Sequence, residues 1–235
     1  MSPIHRSALR TITAVVALAT MAALAACATS TQATPVSAAP IVGPAPGVRA
    51  SADSSRSLVM IIRHGEKPDG SSPGVDSTGK RDKNSLTGVG WNRAHRLVDL
   101  LAPAQGSPRP GLARPTAIYA AGANDNGDGQ RTRETVQPLA DDLGITVNTT
   151  FGNGEEKALV RSVTAHPGTT LISWQHGEIP AIVAAFPSVT PAPPAQWPDD
   201  RFDVVWTLTK TADGWHFAQL PELLLPQDQA GVITG

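Results

Sequence analysis

The sequence has little cysteine and almost no net charge, and each of these features excludes or disfavours a class of protein or binding site. Cys27 is the only cysteine among 235 residues. This excludes an intramolecular disulfide framework and a zinc site built on several thiolates. The 19 Lys and Arg residues nearly balance the 20 Asp and Glu residues, for a formal charge of −1. That balance argues against a nucleic-acid-binding protein that relies on a basic surface.

The sequence is rich in glycine and proline and has an ordinary share of apolar residues. Gly and Pro number 21 each, so much of the chain is expected to form loops or linkers. Apolar residues make up 40% and charged residues 17%, which suffices for a core of ordinary size. The length favours one domain or two small ones. Fibrous and multi-span membrane proteins are excluded.

The N-terminal segment has the features of an export signal. Arg6 and Arg10 precede an uncharged apolar run at 11–26, which is shorter than the roughly 20 residues of a comfortable membrane-spanning helix. The run ends in Leu-Ala-Ala followed by Cys27, which resembles the lipobox of bacterial lipoproteins. Residues 1–26 are therefore predicted to be a lipoprotein signal peptide, with Cys27 lipidated and the protein anchored on the extracytoplasmic side of the cell membrane. An ordinary secretory signal with an incidental cysteine is the alternative.

The segment after the signal is dominated by small and turn-forming residues. Of the 30 residues at 28–57, 22 are Ala, Pro, Ser, Thr or Gly, and no periodicity runs through them. Such a segment cannot bury enough apolar area to offset its conformational entropy. Residues 27–57 are therefore predicted to be a flexible, lipid-anchored linker, and residues 58–235 a single folded domain.

Alternating strand and helix patterns begin at Leu58. The continuous apolar run Leu58–Ile62 is typical of a strand buried on both faces. Further strands are predicted at 116–120, 145–151 and 169–174, helices at 87–102, 130–143, 155–165 and 178–186, and a hairpin at 202–209 and 215–220. This order predicts an α/β fold: a three-layer sandwich with a mainly parallel central sheet flanked by helices, and a C-terminal β-hairpin.

Three polar segments lie where a sheet of this kind binds ligands. Arg63-His64-Gly65 directly follows the first strand, His176-Gly177 follows another apolar strand, and Arg131 lies at the start of a helix. Because ligands bind beyond the carboxyl ends of parallel strands, and helix N-termini favour anions, we expect one pocket with two imidazoles and two or more guanidiniums. A phosphoryl group suits it, since arginine binds phosphate oxygens bidentately. One imidazole could be the nucleophile and the other could stabilise the transferring group.

These motifs resemble those of the histidine phosphatase superfamily, the group of phosphoglycerate mutases and acid phosphatases. The matches occur in the family's order over about residues 58–186. They are Ile62-Arg63-His64-Gly65-Glu66, Leu86-Thr87-Gly88-Val89-Gly90 with Arg93-Ala94, Arg131 with Thr135, and His176-Gly177.

The resemblance implies a role for each matched polar residue. His64 would accept the phosphoryl group, and Arg63, Arg131 and His176 would bind and stabilise it, with no metal and no cofactor. No motif fixes the acid that protonates the leaving group. Glu155, which opens a helix after Gly-Asn-Gly, is the first choice, and Glu178 beside His176 is the second.

The predicted function is hydrolysis of phosphomonoesters through a phosphohistidine, by an exported and membrane-anchored enzyme. The predicted partners are a small-molecule phosphomonoester or phosphate, and the membrane through the lipid on Cys27, but no nucleic acid. Two alternatives stay open. A phosphoglycerate mutase-type phosphotransferase would share the pocket, although glycolytic intermediates do not leave the cell. The other alternative is a catalytically silent phosphoryl-binding lipoprotein. Two features favour it: no motif identifies the acid, and Gly127 occupies the position at which the family has a Ser-Pro-type turn.

Overall fold

The computed structural model describes residues 57–123 and 129–234. The predicted signal peptide (1–26), Cys27, all but the last residue of the predicted linker, and Gly127 lie outside the described residues. None of the helices in the two described ranges is both long enough and apolar enough to cross a membrane.

Six strands form one sheet in the described part of the chain, in the order β2-β3-β1-β5-β6-β4. Neighbours β2, β3 and β1 are parallel, β5 is antiparallel to both β1 and β6, and β4 is parallel to β6. The elements are β1 Leu58–Arg63, α1 Gly88–Leu101, β2 Ala117–Ala120, α2 Gln130–Leu143, α3 Glu156–Ala165, β3 Thr169–Trp174, α4 Ile179–Ala184, β4 Val189–Thr190, β5 Val204–Thr211 and β6 Gly214–Pro221. The predicted α/β class and the C-terminal hairpin are confirmed.

Strand β1 supplies side chains to two hydrophobic cores, one on each face of the sheet. Val59 and Ile61 pack into the core that includes residues of α3 and α4, while Met60 and Ile62 pack into the core that includes residues of α1 and α2. Because successive side chains of a strand point to opposite faces, a strand covered on both sides must be apolar throughout. This explains the continuous apolar run and the three layers.

Helix boundaries follow from local chemistry at α1 and α2. The Thr87 hydroxyl accepts the N–H of Gly90 at 3.2 Å and thereby caps the start of α1. Helix α2 ends at Gly144, whose φ of 64° is left-handed and whose N–H bonds back to the last turn. Both boundaries lie within a residue of those predicted from the sequence.

The strand predicted at 145–151 is wrong. The segment makes a single bridge to β2, between Asn148 and Tyr119. The Asn148 side-chain oxygen accepts the N–H of Thr150 at 2.9 Å, which turns the chain after one pair. Thr149 and Thr150 are both exposed, so no buried face extends the pairing. The two-residue strand β4 was not predicted, because it is too short to show a pattern.

Candidate active site

The topology brings the two His-Gly segments to one edge of the sheet. Strands β1 and β3 are parallel neighbours in which Arg63 lies opposite Trp174. The N–H of His64 donates to the carbonyl of Trp174 at 3.0 Å, which extends the pairing by one residue. His64 therefore follows β1, and His176 follows β3, at the carboxyl ends of adjacent strands, where open α/β sheets bind ligands.

The geometry of His64 fixes which ring nitrogen is free. Its Nδ1 lies 2.7 Å from the carbonyl oxygen of Gly65. Because a carbonyl can only accept, Nδ1 carries the proton and the neutral ring keeps its lone pair on Nε2. Burial lowers the pKa of His64 to about 3, and repulsion from Arg63, Arg131 and His176 acts in the same direction. At neutral pH the imidazole is uncharged and has a nucleophilic Nε2.

Two glycines let the loop after β1 pack closely against α1. A Cβ on Gly65 would lie 3.1 Å from the carbonyl oxygen of Gly90, and a Cβ on Gly90 would lie 2.8 Å from that of Glu66. The N–H of Gly65 also donates to the Thr135 hydroxyl at 2.8 Å, and that hydroxyl donates to the carbonyl of Arg131 at 2.7 Å. The loop that carries His64 is thus fixed to both α1 and α2.

Arg63 is fully buried, and only one of its guanidinium nitrogens, Nη1, has hydrogen-bond partners in the described residues. Its Nη1 donates to the carbonyl oxygens of Pro198 (3.3 Å), Asp199 (2.7 Å) and Arg201 (3.0 Å), and its guanidinium carbon lies 3.8 Å from the centroid of the Phe202 ring. Among the described residues, Nε and Nη2 have no hydrogen-bond partner. Burial lowers the pKa of Arg63 to about 10, opposed by the attraction of Asp199. The side chain stays cationic at neutral pH.

Arg131 and His176 likewise each have one side-chain nitrogen with a polar partner and one buried nitrogen without a partner in the described residues. Nη1 of Arg131 donates to the carbonyl of Asn84 at 3.2 Å, whereas its Nε is buried with no partner in the described residues. Nε2 of His176 pairs with the carboxylate of Asp199 at 2.5 Å, whereas its Nδ1 is buried with no partner in those ranges. Partial burial and repulsion from Arg63 lower the pKa of His176, and Asp199 opposes both.

Three of the four predicted residues at the sheet edge act electrostatically on the fourth, His64. Arg63, Arg131 and His176 each lower the pKa of His64, and Arg131 also lowers that of Arg63. Buried N–H groups without partners are rare in folded proteins. Here two guanidiniums contribute such N–H groups beside a neutral imidazole, and the unpartnered Nδ1 of His176 joins them as a donor when that ring is protonated, which is the composition of an anion site.

Both predicted acids lie at the starts of helices. Exposed Glu155 precedes α3, accepts the N–H of Gly152 at 2.8 Å and lines a cavity of about 270 Å³ beside Gly122, just beyond β2. Half-buried Glu178 precedes α4 and makes no side-chain cap there. No hydrogen bond among the described residues joins either carboxylate to His64, and their roles stay predictions.

Sequence reasoning missed two features beside the site. Asp199 belongs to no sequence motif, and nothing in its neighbourhood indicates that it pairs with His176. Buried Arg93 binds Glu66 at 2.7 Å, Glu222 at 2.8 Å and Asp228 at 2.7 Å, which joins the loop after His64 to the C-terminal segment. Burial raises the pKa of Glu222 to about 8. No motif marks Glu222 or Asp228 in the sequence.

No group of three or more His, Cys, Asp or Glu side chains in residues 57–123 and 129–234 is arranged to hold a metal ion. The chain matches no model of a protein family and no curated protein.

Several solved structures are similar to the chain. A mycobacterial glucosyl-3-phosphoglycerate phosphatase has 14% identity and a TM-score of 0.44, over 70% of this chain and 97% of that one. The protein histidine phosphatase SixA complexed with tungstate has 16% identity and a TM-score of 0.46, over 70% and 97%. The ecdysone phosphate phosphatase of Bombyx mori has 13% identity and a TM-score of 0.41, over 76% and 96%. All three identities are below 25% and all three TM-scores are below 0.5.

Proposed function

We propose that the protein is a phosphomonoester hydrolase of the histidine phosphatase type that works through a phosphohistidine on His64. One observation carries the proposal: Arg63, Arg131 and His176 each have a buried nitrogen without a partner, and each lies close enough to the neutral imidazole of His64 to lower its pKa. A buried donor left without a partner costs about 1–3 kcal/mol, so this arrangement favours a ligand with several acceptor oxygens. A phosphoryl group supplies them together with the negative charge that two guanidiniums attract.

The proposed reaction has two displacements at phosphorus. Nε2 of His64 attacks in line, the bond from phosphorus to the ester oxygen breaks, and an acid protonates the departing oxygen. Arg63, Arg131 and His176 stabilise the equatorial oxygens. The phosphorylated ring still donates its Nδ1–H to the Gly65 carbonyl, which supports the positive charge on the ring. Water then attacks phosphorus and gives a proton to the conjugate base of that acid, the bond to Nε2 breaks, and phosphate leaves.

Trapping the intermediate tests the proposal against its rivals. The protein is mixed with a radiolabelled phosphomonoester, quenched in base and assayed for label on His64, and turnover is followed by release of inorganic phosphate. A hydrolase gives both label and phosphate. A mutase gives label but transfers it to an added acceptor alcohol in preference to water. A silent binder gives neither and would refute the enzymatic proposal.

The identity of the acid can be tested by its dependence on the leaving group. Expelling an alkoxide requires protonation, whereas nitrophenolate departs readily as an anion. Glu155→Gln is therefore expected to lower kcat for an alkyl phosphate at least about tenfold more than kcat for nitrophenyl phosphate, while Glu178→Gln affects both substrates alike. The ratio of the two kcat values in each variant is the measurement. A selective loss at Glu178 with equal losses at Glu155 would reverse the assignment.

We also propose that the protein is exported and anchored by lipid on Cys27. The support is the sequence alone: a positively charged start, an apolar run and a Leu-Ala-Ala-Cys end. Cys27→Ser is expected to move the protein from the membrane to the soluble fraction or to block its maturation, as judged by fractionation and by the mass of the mature N-terminus. A wild-type protein that is fully soluble with an unmodified N-terminus would contradict the anchor.

A further inference from the structure

Asp199 contacts two of the side chains assigned to the phosphoryl group. Its carbonyl accepts Nη1 of Arg63 at 2.7 Å, and its carboxylate pairs with Nε2 of His176. The adjacent Asp200 is also exposed, and no hydrogen bond or ion pair of its side chain is found in the described residues.

The loop around Asp199 is held in place although the carboxylate itself is 85% exposed. Buried Trp197 donates its ring N–H to the carbonyl of Arg201 at 2.9 Å. Buried Arg201 pairs with Asp203 at 2.7 Å and donates to the carbonyl of Gly231 at 2.6 Å. Residues on both sides of Asp199 are thus anchored, and its position does not depend on its own side chain.

The pairing determines what His176 can offer a ligand. A carboxylate only accepts, so Nε2 carries a proton. In the neutral ring Nδ1 would then have a bare lone pair, which repels a phosphoryl oxygen, whereas the imidazolium presents an N–H there as well. The groups that act on this ring are Arg63 from β1, Lys67 and His64 from the following loop, and Asp199. Of these only Asp199 favours the imidazolium in the free protein.

We propose that Asp199 is a positioning residue that holds His176 as an imidazolium over the bound phosphoryl group, with Nε2–H on Asp199 and Nδ1–H on a phosphoryl oxygen. This inference rests on the proposed function. The proton comes from solvent when the dianion binds, because the added negative charge and Asp199 together outweigh the repulsion from Arg63 and Lys67. Binding of the dianion is therefore coupled to uptake of up to one proton, and the buried Nδ1 gains its partner.

Calorimetry with inorganic phosphate tests the proposal without needing turnover. Titrations at pH 8 in buffers of different ionisation enthalpy give the number of protons taken up on binding. Wild-type protein is expected to take up close to one proton, and Asp199→Asn clearly less, with phosphate binding weakened about tenfold. Asp200→Asn removes the same charge one residue away and is expected to change proton uptake little. Proton uptake that is unchanged in Asp199→Asn would overturn the proposal.

Activity measurements separate positioning from a competing role. If Asp199 positions His176, Asp199→Asn lowers kcat/KM for nitrophenyl phosphate about tenfold and moves the alkaline loss of activity to lower pH. If the carboxylate instead competes with phosphate for His176, the variant binds phosphate more tightly than the wild type, and the proposal is wrong. Protein that binds phosphate with proton uptake but does not turn over would refute the hydrolase and leave this inference standing. Protein that binds no phosphate would refute both.

Discussion

His64→Ala is expected to abolish labelling by a phosphomonoester and to lower turnover on the order of a thousandfold or more. The physical reason is that the described site offers no substitute nucleophile. Nε2 of His64 is a free lone pair on a neutral ring, whereas Nε2 of His176 is paired with Asp199 and the proposed imidazolium has no lone pair on Nδ1 either. The only cysteine, Cys27, belongs to the predicted signal and anchor. Steady-state kinetics and trapping of the labelled protein are the measurements.

Binding of inorganic phosphate is the internal control for this variant. Arg63, Arg131 and His176 keep their free nitrogens when the His64 side chain is removed, so phosphate should still bind and the domain should still unfold cooperatively. Exposed His95 on α1 supplies a matched substitution, and His95→Ala is expected to retain full activity. Retention of more than about a few per cent of wild-type turnover by His64→Ala would show that another group is the nucleophile.

The edge of the sheet at which the site lies could be predicted, because the order and direction of the strands determine where most of the site residues lie. Two apolar strands, each followed by His-Gly, become neighbours in a parallel sheet, so their ends meet whatever the intervening loops do. Helix α2 begins where glycine and a run of polar residues indicate, and Arg131 in its first turn lies close enough to His64 to lower its pKa. These placements depend on periodicity and on strand ends, and both can be found in a single sequence.

The contacts that hold the site together could not be predicted, since they join loops that have no periodicity. Asp199 lies 23 positions after His176 in a Pro-rich segment, and nothing local indicates that its carboxylate faces the ring. Glu222 and Asp228 lie more than a hundred residues from Arg93. The strand predicted at 145–151 was wrong for a related reason, because the turn at Asn148 depends on one side-chain hydrogen bond.

Arg93→Met is expected to lower the free energy of unfolding by about 3–5 kcal/mol, against roughly 5–15 kcal/mol for a whole domain. Arg93 is buried and pairs with Glu66, Glu222 and Asp228, of which the last two are themselves buried. Methionine fills the space but leaves three carboxylates without their cation. Urea unfolding is the measurement. Arg96→Met on the exposed side of α1 is the matched control and is expected to change stability by less than about 0.5 kcal/mol.

The loss of stability in Arg93→Met should depend on pH, and the pKa shifts determine the direction of that dependence. Hydrogen bonds from Arg93 keep the pKa of Asp228 below its usual value despite burial, so this carboxylate stabilises the wild-type protein at neutral pH and loses that effect in acid. Burial raises the pKa of Glu222 to about 8, and loss of Arg93 removes an attraction that opposes the rise, so Glu222 is mostly protonated at pH 7.5 in the variant and adds little to the pH dependence. Loss of Arg93 raises the pKa of Asp228, so acid neutralises the Asp228 carboxylate that the variant leaves unpaired, and the difference in stability should be larger at pH 7.5 than near pH 4. Adding Asp228→Asn to Arg93→Met should recover part of the loss at pH 7.5, because it removes the carboxylate that stays charged without Arg93. An equal loss of stability at both pH values would mean that the substitution destabilises the protein through lost packing and not through unpaired charge.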